Sequence, residues 1–144
     1  MRVLGLDLGE KRIGLAISDE GASIAFPAGS IQRTGLRRDL AALRKLVRDR
    51  DVARVVVGLP IHMNGRRGPE AEAADRFAAA LAEAAGVPVD TLDERWTTLA
   101  AERTFRETGT SGRRRAPGTV DAVAAALLLS TYLERRRATG RERE

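Results

Sequence analysis

Along the first third of the chain, apolar residues recur every second position; beyond it they recur every third or fourth. Arg2–Leu6 alternates apolar with small or polar residues, and Asp7-Leu8-Gly9 ends the run. This predicts a first strand closed by Asp7. Gly9-Glu10-Lys11 reads as a turn and Arg12–Ser18 as a second strand. A third strand over about Ile24–Ile31 contains Pro27, which places it at an edge or a bulge. Short connections between the three predict an antiparallel meander.

From Leu36 the period becomes helical. Leu36, Leu40, Leu43 and Val47 share one face, with arginines and Asp39 assigned to the other. Arg54–Gly58 is a β-branched run suited to a strand buried on both faces. After a glycine-bearing loop from Met63 to Gly68, proline at 69 opens a second helix that runs through Phe77 and Leu81 to Gly86. Pro88–Leu92 reads as a fifth strand, and 97–108 as a third helix stopping at a glycine. The segment 109–118 is glycine-rich and basic and reads as a mobile loop. A last helix, capped by Thr119, spans Val120 to about Arg136, its apolar face drawn through Val120, Val123, Ala124, Leu127 and Leu128. The order is βββαβαβαα. Helix–strand alternation calls for parallel pairing, so a five-stranded mixed sheet flanked by helices is expected.

A length of 144 residues suits one domain, expected over 1–137, with a charged, disordered tail over 138–144. The chain has no cysteine, which excludes disulfides, thiolate metal sites and cysteine nucleophiles. The apolar run Val123–Leu129 is far shorter than the roughly 20 residues of a membrane span, and no signal-peptide pattern opens the chain. A soluble, cytoplasmic protein without membrane association is expected. Lys and Arg number 25 against 20 Asp and Glu, and only Lys11 and Lys45 are lysine. Arginine clusters suit phosphate and hence nucleic acid, although arginine also serves as an ordinary solubilising cation.

Three acids fall where an α/β sheet places its chemistry: Asp7 closing strand one, Glu94 just past strand five, and Asp121 in the first turn of the last helix. Brought together, they offer hard oxygen ligands to Mg²⁺ or Mn²⁺ for phosphodiester hydrolysis. Each also has an ordinary reading: a turn, a solvated charge run and a helix-dipole partner, respectively.

The segments LGLDLGEKRIGLAISD, VVVGLP, DERWTT and VDAVAAALLLSTYL, in this order from Arg2 to about Leu133, resemble the YqgF/RuvX family. These are Holliday-junction-resolvase-like proteins also described as pre-16S rRNA nucleases. The resemblance implies a ribonuclease-H-like fold and a two-metal site formed by Asp7, Glu94 and Asp121, with Mg²⁺ or Mn²⁺ as cofactor. It also implies substrate contacts from Lys11 and Arg12. Arg95 is read as meeting phosphate or orienting a carboxylate, with a plain salt bridge as the alternative, and Arg113, Arg114 and Arg115 as cations reaching over from the loop. The partners implied are pre-rRNA or branched DNA, with a homodimer as the assembly a two-fold junction favours. The chain departs from the family pattern at His62, Asn64 and Thr119, where asparagine, aspartate and lysine are common, and it has Ala124 where the better-studied resolvases carry a further aspartate. Trp96 reads as a core or interface residue, or as a platform for a base. Two other readings are an actin-like phosphotransferase built around Asp7-Leu8-Gly9 and a non-catalytic RNA-binding factor in ribosome or transcription control.

Overall fold

The computed structural model describes residues 1–97 and 119–139. Strands β1 (Arg2–Leu8), β2 (Arg12–Ser18) and β3 (Ala25–Gln32) form the antiparallel meander. Helix α1 (Leu36–Asp49) leads to β4 (Val52–Leu59), and α2 (Pro69–Ala85) leads to β5 (Val89–Asp93). Residues 94–97 are helical, and α3 spans Thr119–Thr139. The sheet order is β3-β2-β1-β4-β5, with β1, β4 and β5 parallel. The mixed five-stranded sheet is therefore the one expected. Pro27 lies on the edge strand, where the β2–β3 register shifts, so it is both at an edge and at a bulge. Among the described residues, no helix is long and apolar enough to cross a membrane.

Strand alternation splits the core into two layers. Leu4, Leu6, Ile13, Leu15, Val55 and Val57 pack against Leu43 and Val47 of α1 and Phe77 and Leu81 of α2. The opposite side of the sheet, with Val3, Ala16 and Val56, packs against Ala125, Leu128, Leu129, Tyr132 and Leu133 of α3. Proline at the start of α2 and left-handed Gly86 (φ 71°) after its end mark that helix as its sequence does.

Two helix faces differ from expectation. Asp39 is buried at 3% exposure, whereas Leu36, assigned to the apolar face, is 57% exposed. The Asp39 carboxylate accepts the Thr34 backbone N–H at 3.0 Å and pairs with Arg33 at 4.0 Å. Those partners, and its place in the first turn of α1, offset the cost of burying a charge. In α3 the buried face is Ala122, Ala125, Leu128, Leu129, Tyr132 and Leu133, while Val120 is 56% exposed. The α3 sequence is alanine and leucine almost all round, so its periodicity does not select a face. The sheet beneath it does. The helix reaches Thr139, two residues past the expected start of the tail. The remainder of that tail, most of the expected third helix and the loop over 109–118 lie outside the described residues.

Candidate functional site

Because side chains alternate along β1, Val3, Gly5 and Asp7 point to the α3 side, opposite Leu4 and Leu6. Asp7 faces Gly14 across the β1–β2 ladder. On the other side, Leu6 pairs with Val57, and continuing that parallel register by one residue sets Asp7 beside Gly58. The acid is thus flanked by glycine on both neighbouring strands.

Each glycine admits a second acid. A methyl group on Gly14 would occupy the place of the Asp121 backbone carbonyl and lie 3.1 Å from the Asp121 Cβ. A methyl on Gly58 would lie 2.5 Å from Glu94 Oε1. Gly5 performs the same service about two turns along α3, where its Cβ would stand 2.9 Å from that of Leu129. The first turn of α3 and the residue after β5 therefore come down onto the sheet because no side chain stands in the way.

Of the three acids expected from sequence, two are in contact and the third stands near enough for its charge to be felt. Asp7 and Glu94 share a side-chain hydrogen bond, and the charge of Asp121 acts on Asp7. Burial, then the charge and hydrogen bond of Asp7, push the Glu94 carboxyl up to about 7. Burial and Asp121 raise the Asp7 carboxyl as well, against the lowering effect of its hydrogen bond to Glu94. Among the described residues, no three acidic or histidine side chains stand in a ready-made metal-holding arrangement. The contact is instead carboxyl to carboxyl, between Asp7 and Glu94.

This donor set fits a hard divalent cation. It is made only of carboxylates, it is half-buried, and the burial and mutual charge that push its carboxyls up are what a bound cation would offset. His62 is not part of it; it lies in an exposed loop, where its backbone N–H donates to the Arg66 carbonyl.

The basic residues divide into two groups. Lys11, in the turn after β1, and Arg12, the first residue of β2, are exposed and form no ion pair among the described residues. The Arg95 guanidinium is committed to Asp93, donating from Nη2 at 2.6 Å and Nε at 2.9 Å. That hydrogen bond holds the Asp93 carboxyl below the usual range. Arg113, Arg114 and Arg115 lie outside the described residues. Trp96 is 48% exposed rather than in the core, with the Arg135 guanidinium 4.6 Å from its ring centre.

Residues that sequence reading passed over support the site from behind. Arg33 Nη1 donates to the Gly9 carbonyl at 2.8 Å, and the Arg33 backbone N–H donates to the Lys11 carbonyl at 2.9 Å. With buried Asp39 behind it, Arg33 pins the turn that ends β1 and presents Lys11 and Arg12. The signal was the Arg33–Asp39 spacing at a helix start whose cap position, Gly35, has no side chain.

Comparison with known proteins agrees with this arrangement. The model of the family described as RuvX, Holliday junction resolvase, matches residues 1–135. A Chloroflexus aurantiacus protein named "Putative pre-16S rRNA nuclease" is 46% identical over 135 residues, covering 94% of this chain and 88% of the relative. An Anaeromyxobacter dehalogenans protein of the same name is 47% identical over 136 residues, covering 94% and 98%. Among solved structures, Thermus thermophilus RuvC in complex with Holliday junction substrate superposes with a TM-score of 0.62 at 19% identity, covering 96% of this chain and 97% of that one. The fowlpox virus Holliday junction resolvase gives 0.55 at 16% identity, covering 93% and 99%. At those identities the two structures establish a shared fold, the ribonuclease-H-like one expected from sequence. With the family match running from the first strand through most of α3, the chain belongs to the RuvX family.

Proposed function

We propose that this protein is a divalent-metal-dependent nuclease that hydrolyses phosphodiester bonds in structured nucleic acid. Its main substrate is the 5′ end of pre-16S rRNA, with Holliday junctions as a second substrate. The observation that carries the reading is the contact of Asp7 with Glu94 at a glycine-flanked end of the sheet, with Asp121 close enough for its charge to act on Asp7. The names borne by relatives at 46–47% identity point the same way.

Asp7, Glu94 and Asp121 would hold the cation. Bound there, Mg²⁺ or Mn²⁺ supplies Lewis-acid charge at the scissile phosphate. The protein's own contribution is positional. Rigid strand and helix ends fix the three carboxylates, and the Arg33-held turn presents Lys11 and Arg12 to flanking phosphates. Arg95 pairs with Asp93 beside Glu94 and so offsets part of a fourth negative charge that still reaches Glu94. The cysteine-free composition suits a reducing cytoplasm, and the two-fold symmetry of a junction suits a homodimer.

The test is parallel cleavage of a precursor rRNA 5′ end and a four-way DNA junction by wild type and Asp7→Asn, with and without Mg²⁺ or Mn²⁺. Wild type is expected to cut only with metal, and Asp7→Asn to fall to background while still folding and binding. Undiminished cleavage by Asp7→Asn, purified free of host nucleases, would remove the carboxylates from the reaction. Salt-sensitive binding with no cleavage by wild type would replace the nuclease with a binding factor.

A further inference from the structure

The chain has one tryptophan, and it stands two residues beyond Glu94 in the same helical turn. A large aromatic ring left 48% exposed beside an acidic site is not explained by packing. Its neighbours have a definite charge. Trp96 lines a groove of about 430 Å³ between β5 and the second half of α3, together with Thr91, Arg135 and Arg136. Two acids also border this groove, and both are already paired. Asp93 is held by Arg95, and Asp90 accepts hydrogen bonds from Arg54 at 3.0 Å and from the Tyr132 hydroxyl. Arg135, by contrast, forms no ion pair among the described residues and lies against the Trp96 ring. The groove therefore combines a half-exposed aromatic ring with arginine charge, and it lies next to the carboxylate site in the chain, Trp96 standing two residues after Glu94.

We infer that the Trp96–Arg135 groove is a subsite for an unpaired nucleotide next to the cleaved phosphate, its base stacked on Trp96 and its phosphate met by Arg135. A base inside a duplex has both faces covered by its neighbours and offers none to an indole. An unpaired base does, and aromatic stacking of this kind tolerates any base. The inference rests on the nuclease reading and sharpens it: the preferred substrate is single-stranded beside the cut, and a fully paired duplex does not fill this groove.

Because Trp96 is the sole tryptophan, its fluorescence reports on the groove directly. Metal-free protein is titrated with a fluorescein-labelled single-stranded oligonucleotide, the same strand in a duplex, and the strand with abasic sites; anisotropy follows binding and indole emission follows stacking. The single strand is expected to quench indole emission in step with binding, and the duplex and abasic strands to bind without quenching it. Trp96→Ala is expected to weaken single-strand affinity roughly 5- to 150-fold, and Trp96→Phe to restore most of the loss. Saturated single-strand binding with unchanged Trp96 emission, or equal affinity in Trp96→Ala, would overturn the subsite. Wild type that cuts while Trp96 stays silent contradicts this inference alone. Quenching without any cleavage under Mg²⁺ or Mn²⁺ contradicts the nuclease reading and leaves the subsite standing.

Discussion

Toward α1 and α2, strands β1, β2 and β4 present Leu4, Leu6, Ile13, Leu15, Val55 and Val57; toward α3 the same strands present Gly5, Asp7, Gly14, Ala16 and Gly58. The first face keeps its helices at a distance filled by branched side chains, and stability comes from the area buried there. The second face keeps Val3 and Val56 in contact with α3 but is pared back to glycine at 5, 14 and 58, where the helix and the acid after β5 approach the strands themselves. Both sides of the sheet carry a core layer. The α3 side also positions charge, at its Asp7 end. The carboxylates can be crowded into repulsion on the second face because the first supplies the stability that the crowding costs.

Truncation on the two sides separates these roles. Leu43→Ala, on the α1 side, is expected to lose about 2–5 kcal/mol of stability, measured by denaturant unfolding, with cleavage per folded molecule unchanged. Gly14→Ala adds a single methyl on the α3 side. Gly14 lies inside a strand, where alanine is ordinarily favoured over glycine by roughly 0.5–1 kcal/mol. Here the methyl would fall onto the Asp121 carbonyl, so a net loss of about 1–3 kcal/mol is expected instead. Cleavage should drop far more than stability, because Asp121 has to move. Equal losses of activity from the two variants would break the comparison.

The smallest expected effect is on pH. The Glu94 carboxyl titrates near 7 in the folded protein against 4.5 in its ordinary state, so the folded form binds more protons between these values. Stability of the metal-free protein therefore falls as pH rises from about 4.5 to 7 and levels off above. Partial exposure of the group limits the change to on the order of 1–2 kcal/mol. Glu94→Gln should flatten this slope and raise the thermal midpoint above pH 7, while Mg²⁺ or Mn²⁺ should flatten it in the wild type. A midpoint that instead rises with pH over this window would place the carboxyl pair in a different environment.

Much of this was legible in the chain because its strands and α2 carry strong local signals. The β2 pattern over Arg12–Ser18, proline at 69 and glycine at 86 fix their elements almost without tertiary context. The α3 face was not legible: its alanines and leucines fit any rotation, and the choice is made by Gly5 and Gly14 from strands more than a hundred residues earlier. Asp39 was misread because a charge at a helix start looks solvated until Arg33 and Thr34 fold back onto it. The acids were legible as candidates from their positions at element ends. Their contact was not, since it depends on glycines that look like ordinary strand residues. Trp96 gave no directional signal, because a single aromatic has no period.

The central claim is that three carboxylates distant in sequence act as one cation site. Its most direct test is the anomalous scattering of Mn²⁺ soaked into crystals of the protein at pH above 7. The account predicts manganese coordinated by oxygens of Asp7, Glu94 and Asp121, with the Asp7–Glu94 hydrogen bond broken. Manganese absent from that cluster at saturating concentration, or bound elsewhere while Asp7 and Glu94 stay joined, would contradict it.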